Sequence, residues 1–342
     1  MSPDFLAACR RQPAGGTPVW FMRQAGRYQP EYRKIRERRS LLEICALPDI
    51  CTEVTLLPVH QLGVDAAILF SDITVPLLAV GVHLRIEENV GPVIERPFTS
   101  AQDIERLRPL VPEEDEPYVS AAVGQIVSEL NGLPLIGFGG GPFTLASYLV
   151  EGGPSRQYLK VKGLMWEDPA TFRRLLERLA EITFAHLEAQ VRAGAAALQI
   201  FDSWIGSLTP YDYRTHVLPV MQGLFARLRS LSVPTIYFGV ETAGLLPLMA
   251  EAGADALGVD WRVDLAEAWR VVGTRHAIQG NLDPALLLGP WPEVERGTRR
   301  VLAAANARPG HIFNLGHGVL PTTPPDILRR VVDLVHASPA EM

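Results

Sequence analysis

Short apolar runs and longer amphipathic stretches alternate along the whole chain. In the stretch 170–191, apolar residues recur at three- and four-residue steps, a spacing typical of an amphipathic helix. The short runs are almost uninterrupted by polar residues, as expected for strands that are covered on both faces. The pattern predicts eight strands, near residues 18–22, 66–70, 134–138, 196–201, 234–238, 256–259, 277–279 and 311–315.

This alternation of strands and helices predicts a parallel sheet, and eight such units in 342 residues predict a single (β/α)₈ TIM-type barrel. An open doubly wound sheet is the main alternative, but no GxGxxG motif follows the first predicted strand. Since no linker divides the chain, we expect one domain over 1–342, with 1–17 as an N-terminal extension and 18–335 as the barrel. The acidic, proline-bounded segment 111–117 is predicted to be a surface loop.

Polar residues follow several of the predicted strands. The segments GVDAAILFSD (63–72), GAAALQIFDS (194–203) and GADALGVD (253–260) each end a strand with an aspartate. Such an aspartate could instead cap the next helix. In a barrel, however, the carboxyl ends of the strands meet on the face that carries the active-site cleft. The residues predicted on that face are Arg23, Asp72, Gly139, Gly140, Gly141, Asp202, Ser203, Asp260 and His317.

The chain is acidic, with a net charge of -6, but one short segment has the opposite sign. From Arg23 to Arg39 there are seven basic and two acidic residues. A cationic segment on an anionic protein favours an anionic ligand and does not predict nucleic-acid binding. The alternative is a basic helix face that is simply solvated.

Composition limits the protein class further. Hydrophobic content of 47% and charged content of 20% are typical of a globular protein, and no apolar run approaches the ~18 residues of a membrane helix. The N-terminus has no signal-peptide pattern. The three cysteines, Cys9, Cys45 and Cys51, form no CxxC pair and lie away from the predicted strand ends. We therefore expect a cytoplasmic protein without disulfides, a membrane partner or a metal site.

Six segments together resemble the uroporphyrinogen decarboxylase family, in the right order from about residue 18 to about 335. They are PVWFMRQAGRYQPEYRKIR (18–36), ILFSDI (68–73), IGFGGGPFTLASYLVEGG (136–153), FDSWIGSLTP (201–210), GNLDP (280–284) and FNLGHG (313–318). The resemblance implies a (β/α)₈ barrel that usually forms a homodimer and needs no cofactor. It also implies the reaction, in which the four acetate side chains of the tetrapyrrole uroporphyrinogen III lose carbon dioxide to give coproporphyrinogen III in haem biosynthesis.

The resemblance also implies the site. Asp72, Arg23 and Arg27 would be catalytic, with the arginines binding substrate carboxylates and Asp72 accepting hydrogen bonds from the pyrrole N–H groups. One departure from the family pattern is that ThrValPro (74–76) follows Ile73 without the extra residue common there. The full set of implied substrate-binding residues is Arg23, Gln24, Arg27, Arg36, Phe70, Asp72, Tyr148, Phe201, Ser203 and His317.

The residues themselves leave alternatives open. Tyr148 and Ser203 could bind substrate carboxylates or bond within the core, and His317 could bind carboxylate, relay protons or be structural. The turn 139–142 (GGGP) could cradle a phosphate at a helix N-terminus or let backbone approach a flat ligand. Two other functions remain: a zinc-dependent methyltransferase, for which no HxC pair is present, and a tetrapyrrole carrier, which would not need Asp72.

Overall fold

The fold is built on a curled sheet of seven parallel strands. A computed structural model describes residues 4–87 and 90–338. In chain order the strands are β1 Ala67–Ile68, β2 Leu84–Glu87, β3 Gly91–Ile94, β4 Leu135–Gly140, β5 Ala197–Phe201, β6 Thr235–Phe238, β7 Ala256–Gly258, β8 Ala277–Gln279 and β9 His311–Ile312. The seven strands of the main sheet follow one another in the order β1-β4-β5-β6-β7-β8-β9, while β2 and β3 form a separate antiparallel hairpin.

Seven of the eight predicted strands are confirmed, each within a few residues of its predicted bounds. The first, 18–22, does not form a regular strand. Val19 makes a single parallel bridge with Phe313, and Phe313 donates to the Pro18 carbonyl at 2.8 Å. On its other side, Val19 accepts a hydrogen bond from the Asp65 amide at 2.8 Å. The segment therefore lies between the two edges of the curled sheet, after β9 and before β1.

The helices of the described residues pack around this sheet. They are α1 Phe5–Cys9, α2 Pro30–Arg36, α3 Leu41–Cys45, α4 Pro48–Leu62, α5 Val75–Ala79, α6 Pro112–Asp115, α7 Pro117–Glu129, α8 Pro142–Glu151, α9 Leu159–Glu167, α10 Pro169–Arg192, α11 Pro210–Asp212, α12 Leu218–Leu228, α13 Leu246–Glu251, α14 Leu265–Val272, α15 Trp291–Ala305 and α16 Pro325–Ala337. None of those in the described ranges is long and apolar enough to cross a membrane.

Helix α10 shows how sequence determines an element. Asp168 caps its first turn by accepting from the Thr171 amide at 3.0 Å, and Pro169 occupies the first position, where a missing N–H is harmless. Its apolar residues at three- and four-residue spacing are buried, which confirms the helix predicted over 170–191. The loop predicted over 111–117 is wrong, because α6 and the start of α7 lie there.

The inner face of the curled sheet is filled by side chains. The indole N–H of Trp20 donates to Gln279 Oε1 at 3.0 Å, and Gln279 Nε2 donates to Gln199 Oε1 at 3.0 Å. All three side chains are almost completely buried. This chain of hydrogen bonds joins the segment 18–22 to β8 and β5 across the interior, so the centre of the sheet is a packed core and the strand ends are free to form the site.

Candidate active site

Arg23 lies where the first and last motifs of the chain meet. The Met22 amide donates to Asn314 Oδ1 at 3.0 Å, and the Val319 amide donates to the Met22 carbonyl at 2.9 Å. A Cβ on Gly318 would lie only 2.7 Å from Arg23 Cγ, so the arginine side chain crosses a space that only glycine leaves open. The Arg23 side chain is accessible to solvent but surrounded by protein, as expected at the wall of a cleft.

Asp72 and Tyr148 lie beside Arg23. Surrounding protein lowers the pKa of the Arg23 guanidinium, and the nearby Asp72 carboxylate opposes that shift. Asp72 follows β1 and is half-buried, and its Oδ1 accepts from the Thr74 amide at 2.9 Å and the Thr74 hydroxyl at 2.5 Å. The carboxylate is therefore held in place by the turn that leads into α5. Both hydrogen bonds use the same oxygen, which is compatible with ligand binding by the other.

Tyr148 is held as a neutral phenol. It lies on α8, and its ring packs on Trp204 with 4.1 Å between ring centroids. Burial raises the pKa of Tyr148 above its ordinary range, and the Asp72 carboxylate acts in the same direction. The hydroxyl therefore remains protonated and can donate a hydrogen bond. Ser203, also half-buried, lies next to Trp204 after β5.

A series of rings forms one wall near these groups. The centroid distances are 5.3 Å for Phe138–Phe201, 6.0 Å for Phe201–Phe238, 6.4 Å for Phe238–His317 and 6.1 Å for His317–Trp261. Phe201, His317 and Trp261 are only partly buried, so they retain apolar surface for a ligand. A wall of partly exposed rings is suited to a large aromatic or heteroaromatic ligand.

His317 is neutral at physiological pH. Burial lowers its pKa to about 4, and the positive charges of Arg23 and Arg262 contribute to the shift. The ring can donate one hydrogen bond and accept another, but it does not add a positive charge to the site.

The basic segment divides into different environments. The positive charges of Arg27 and Arg36 both act on the Tyr32 hydroxyl, and Arg27 also acts on Arg23, so Arg27 extends the cationic wall from Arg23. Arg33 donates to the Arg27 and Tyr28 carbonyls at 2.9 and 3.0 Å. Arg36 donates to the Arg39 carbonyl at 2.6 Å. The segment is therefore not one continuous ligand surface, because some of its guanidinium groups bind backbone.

The side chains of two predicted substrate-binding residues, Gln24 and Phe70, make contacts within the protein. The Gln24 side chain is fully buried, with Oε1 accepting from the Phe21 amide at 3.1 Å and Nε2 donating to the Ala66 carbonyl at 3.2 Å. Phe70 is half-buried and packs against Tyr32 at 5.4 Å between ring centroids, on the side of α2.

The glycine turn before α8 holds a carboxylate of the protein. Asp202 is fully buried, and its Oδ1 accepts from the Thr144 amide at 2.9 Å and the Thr144 hydroxyl at 2.7 Å. A Cβ on Gly141 would overlap the Asp202 carboxylate. The start of α8 therefore has no space for a phosphate. Asp202 does not cap the next helix of the chain; it binds a backbone amide in the first turn of α8, which precedes β5. Burial raises the pKa of Asp202 to about 6.

Asp260 is also structural. It is fully buried and accepts from the Glu241 amide at 2.6 Å, the Arg262 amide at 3.1 Å and Arg262 Nη1 at 3.0 Å. It ties the loop after β6 to the loop after β7. Sequence reasoning missed two neighbouring tryptophans. Trp261 directly follows the strand-ending Asp260, and Trp204 follows Asp202 after one residue, so their positions could have identified them.

The interpretation that the cysteines lie away from strand ends is wrong for two of them. The Cys51 thiol donates to the Phe70 carbonyl at 3.2 Å. Cys45 is hydrogen-bonded to Ser71, and the nearby Asp72 carboxylate raises the pKa of its thiol. Burial raises the pKa of Cys51 to about 12 and that of Cys45 above its ordinary range, so both thiols stay protonated. Within 4–87 and 90–338, no three His, Cys, Asp or Glu side chains are arranged to hold a metal ion.

Comparison with solved structures supports the fold. A methyltransferase from Methanosarcina mazei superposes with a TM-score of 0.79 over 96% of each chain, at 21% identity. A B12-independent methionine synthase from Shewanella superposes with a TM-score of 0.58 over 94% of this chain and 96% of its own, at 11% identity. At these identities the likeness concerns the fold alone.

Sequence comparison is more specific. The profile of the family described as uroporphyrinogen decarboxylase (URO-D) matches residues 2–338. The uroporphyrinogen decarboxylase of Salinispora tropica is 58% identical over 332 residues, 97% of this chain and 89% of its own. That of Thermus thermophilus is 54% identical over 330 residues, 96% of each chain. With the motifs of the strand ends brought together in one site, the chain belongs to the uroporphyrinogen decarboxylase family.

Proposed function

We propose that this protein removes carbon dioxide from the four acetate side chains of uroporphyrinogen III, producing coproporphyrinogen III without a cofactor. The observation that carries the proposal is the convergence of Arg23, Asp72, Tyr148 and His317, from four separate segments, close to a partly exposed aromatic wall. The family supports the same reaction, since its relatives at 54–58% identity carry that name.

The reaction needs an acceptor for an electron pair. A proton added to a pyrrole carbon makes the ring cationic. The bond between the acetate methylene and its carboxylate then breaks, carbon dioxide leaves, and the electron pair forms an exocyclic double bond that neutralises the ring. A proton added to the methylene and the loss of the ring-carbon proton complete a methyl group. The net reaction consumes one proton per carbon dioxide released.

We assign the stabilisation of the cationic ring to Asp72. Its Oδ2 would accept from pyrrole N–H groups, while Thr74 holds Oδ1. A fixed carboxylate is more strongly attracted to the cationic ring than to the neutral ring, so it lowers the barrier and not only the energy of the bound substrate.

Arg23 and Arg27 would hold the substrate carboxylates. A guanidinium binds a carboxylate with two parallel N–H groups, which fixes direction as well as position. The lowered pKa of Arg23 makes its guanidinium a stronger acid. This would help if a water bound by Arg23 supplies the proton to the ring. Tyr148, Ser203 and His317 would add neutral hydrogen-bond donors, and Phe201 would contact the tetrapyrrole. Arg36 would guide carboxylates at the outer edge.

We also infer that 18–22 completes an eight-stranded barrel. The contacts of Val19 with Asp65 and of Pro18 with Phe313 support closure at both edges of the sheet. A cytoplasmic location and a homodimer, without nucleic-acid or membrane partners, are part of the same proposal and rest on the family resemblance.

Anaerobic incubation with uroporphyrinogen III, followed by chromatography of the oxidised products, tests the function. We expect products that have lost one to four carboxyl groups in succession, with full activity after dialysis against EDTA. Unchanged substrate would contradict the proposal, and bound but unchanged substrate would indicate a carrier. Activity lost to EDTA and restored by zinc would instead favour metal-dependent chemistry.

A further inference from the structure

Glu241 and Arg262 form an accessible ion pair on the same face as the candidate site. They lie in the loops after β6 and β7, whose carboxyl ends point to the same side of the sheet as the end of β1. Arg262 Nη2 lies 3.2 Å from Glu241 Oε1, with 42% of the arginine side chain and 61% of the glutamate side chain exposed. An ion pair this exposed contributes little to stability, so other charged groups can exchange with it.

Arg262 is held in position independently of Glu241. The buried Asp260 accepts from both its backbone amide and its Nη1, at 3.1 and 3.0 Å. The guanidinium also stacks over the Trp261 ring, 3.9 Å from the centroid. A guanidinium fixed on two sides loses little conformational freedom when its remaining N–H groups bind a carboxylate.

Arg262 lies near His317, as Arg23 does. Both arginines lower the pKa of His317, so the histidine lies within the electric field of each. Trp261, on which Arg262 stacks, meets the His317 ring edge-on at 6.1 Å. A ligand that lay on the aromatic wall with carboxylates around its perimeter would therefore have two cations near it beside His317, Arg23 and Arg262.

Glu241 has an unusual backbone conformation that its surroundings enforce. Its φ is +60°, in the left-handed region that non-glycine residues rarely occupy. The Asp260 carboxylate binds its amide at 2.6 Å, and the Glu241 carbonyl packs so closely on Gly206 that a side chain there would collide with it. The charge of Glu241 also acts on Tyr158, whose ring lies 5.2 Å from that of Trp204. An acidic side chain is thus held at the rim of a cleft for a polyanion, where it would repel the ligand unless it moved.

We infer that Arg262 is a substrate-carboxylate-binding residue, and that Glu241 occupies its outer N–H groups in the free protein until a substrate carboxylate displaces it. The inference rests on the proposed function, because it takes the polycarboxylate tetrapyrrole as the ligand. Exchange of one carboxylate for another leaves the charge of the Arg262 environment unchanged, while Asp260 keeps the guanidinium in place.

A double-mutant cycle tests the exchange. We expect Arg262→Gln to raise KM for uroporphyrinogen by about 10-fold, the effect of losing a hydrogen bond to a charged group, with kcat within about 3-fold of wild type. Glu241→Gln should lower KM by about 2–5-fold, since a competing carboxylate is removed. In the Arg262→Gln background, Glu241→Gln should have almost no effect on KM.

The matched control is the Glu295–Arg299 pair on the exposed side of α15, also an Arg–Glu contact, at 2.8 Å. Arg299→Gln and Glu295→Gln should leave KM unchanged. Arg262→Lys, which keeps a cation for Asp260, provides a second variant if Arg262→Gln is unstable, and should also raise KM because the planar fork is lost. Equal KM for Arg262 and Arg299 variants would overturn the inference, as would an equal effect of Glu241→Gln in both backgrounds.

Equilibrium dialysis with uroporphyrin, the oxidised octacarboxylate that cannot be decarboxylated, separates this inference from the proposed function. If the wild type binds uroporphyrin but does not turn over uroporphyrinogen, the proposed function fails. The double-mutant cycle, measured as Kd for uroporphyrin, then still tests the role of Arg262. If wild type turns over and the Arg262 variants match it in both KM and Kd, the proposed function stands and the inference fails.

Discussion

The charged residues Arg23 and Asp72 lie beside two neutral side chains, Tyr148 and His317. Burial raises the pKa of Tyr148 above its ordinary range and lowers that of His317 to about 4. The two neutral donors can orient carboxylates without adding positive charge near the pyrrole, where a cation has to form. In the proposed mechanism, the negative charge of Asp72 would act on that cation, and the only nearby positive charges within the described part of the chain would be those of the arginines proposed to hold the carboxylates.

At Asp72, replacement by asparagine should nearly abolish decarboxylation. The variant keeps an acceptor oxygen for Thr74 but loses the charge that faces the developing cation. If that charge contributes about 3–4 kcal/mol, kcat should fall by about 10²–10³-fold. Asp72→Glu keeps the charge one methylene further out and should retain more activity. Both kcat values should be measured after equal thermal stability is confirmed, and an asparagine variant within about 3-fold of wild type would remove Asp72 from the mechanism.

At Arg27, replacement by alanine should weaken substrate capture and make it less dependent on salt. The residue is exposed and its charge extends the wall from Arg23. Accessible charges are screened over about 10 Å at 0.1 M salt, so KM of the wild type should rise with ionic strength. We expect Arg27→Ala to have a KM about 10-fold higher at low salt and a smaller increase as salt is added. Lys34→Ala, which removes an exposed cation of α2, is the control. Identical salt curves for both variants and wild type would show that Arg27 lies outside the capture surface.

At the scale of single residues, sequence motifs identify which residues belong to the site more reliably than they identify what each residue does. Position in a motif identified Arg23, Asp72, Tyr148 and His317, which the structure brings together. Position in a motif could not show that Gln24 is a buried residue whose amide is hydrogen-bonded to backbone groups. A buried glutamine and a ligand-binding glutamine look alike in sequence. Nor could sequence show that Asp202 binds the start of α8 and Asp260 binds two loops, while Asp72 lies near Arg23, since that depends on how completely each carboxylate is buried.

At the scale of elements, strand prediction succeeded where apolar runs are uninterrupted. The hairpin of β2 and β3 was missed because Leu84–Glu87 has only two apolar residues, separated by a polar one, and because β3 begins with Gly91 and Pro92, which are poor strand formers. Segment 18–22 is as apolar as a strand, yet it forms isolated contacts with both edges of the sheet. Apolar pattern specifies burial, whereas the regularity of pairing depends on tertiary packing.

Two contacts between an acidic and a basic side chain, each joining neighbouring elements, offer a direct comparison of burial. Glu116, between α6 and α7, lies 2.6 Å from His186 of α10, with both side chains almost fully buried. Glu113 of α6 lies 2.6 Å from Arg192 of α10, with 61% and 56% of the side chains exposed. The same pair of elements is therefore joined by one contact shielded from water and one that is solvated.

Removal of the buried partner should therefore be much more destabilising. Glu116→Ala leaves the buried histidine without its partner, and we expect the free energy of unfolding to fall by about 3 kcal/mol. Glu113→Ala should change it by no more than about 1 kcal/mol. Urea denaturation of both variants measures this, and kcat should be unaffected wherever the variant is folded. Similar losses for both variants would mean that burial does not determine the strength of these contacts.

At the scale of the whole molecule, buried titratable groups couple stability to pH. His311 in β9 is 3% exposed, with Nε2 3.0 Å from the Gly280 carbonyl oxygen, and burial lowers its pKa to about 4. The unfolded chain therefore binds a proton at His311 before the native protein does. The stability that this difference provides is complete above the ordinary histidine pKa of 6.5 and is lost as pH falls from there toward 4. Asp202 acts oppositely: burial raises its pKa to about 6, so the native protein takes up that proton first and gains stability as pH falls through 6.

Because these effects partly offset each other, the informative measurement is the difference between wild type and a variant that cannot titrate at one position. His311→Asn can keep a donor toward the Gly280 carbonyl but removes the proton-binding ring. Between pH 7 and pH 5 the wild-type histidine should lower the free energy of unfolding by on the order of 2 kcal/mol, from the separation of the two pKa values. The variant, though less stable at pH 7, should therefore lose about 2 kcal/mol less than wild type over that interval in urea denaturation. Parallel stability curves for the two proteins would show that His311 titrates equally in the folded and unfolded chains, and that its burial is not what limits stability in acid.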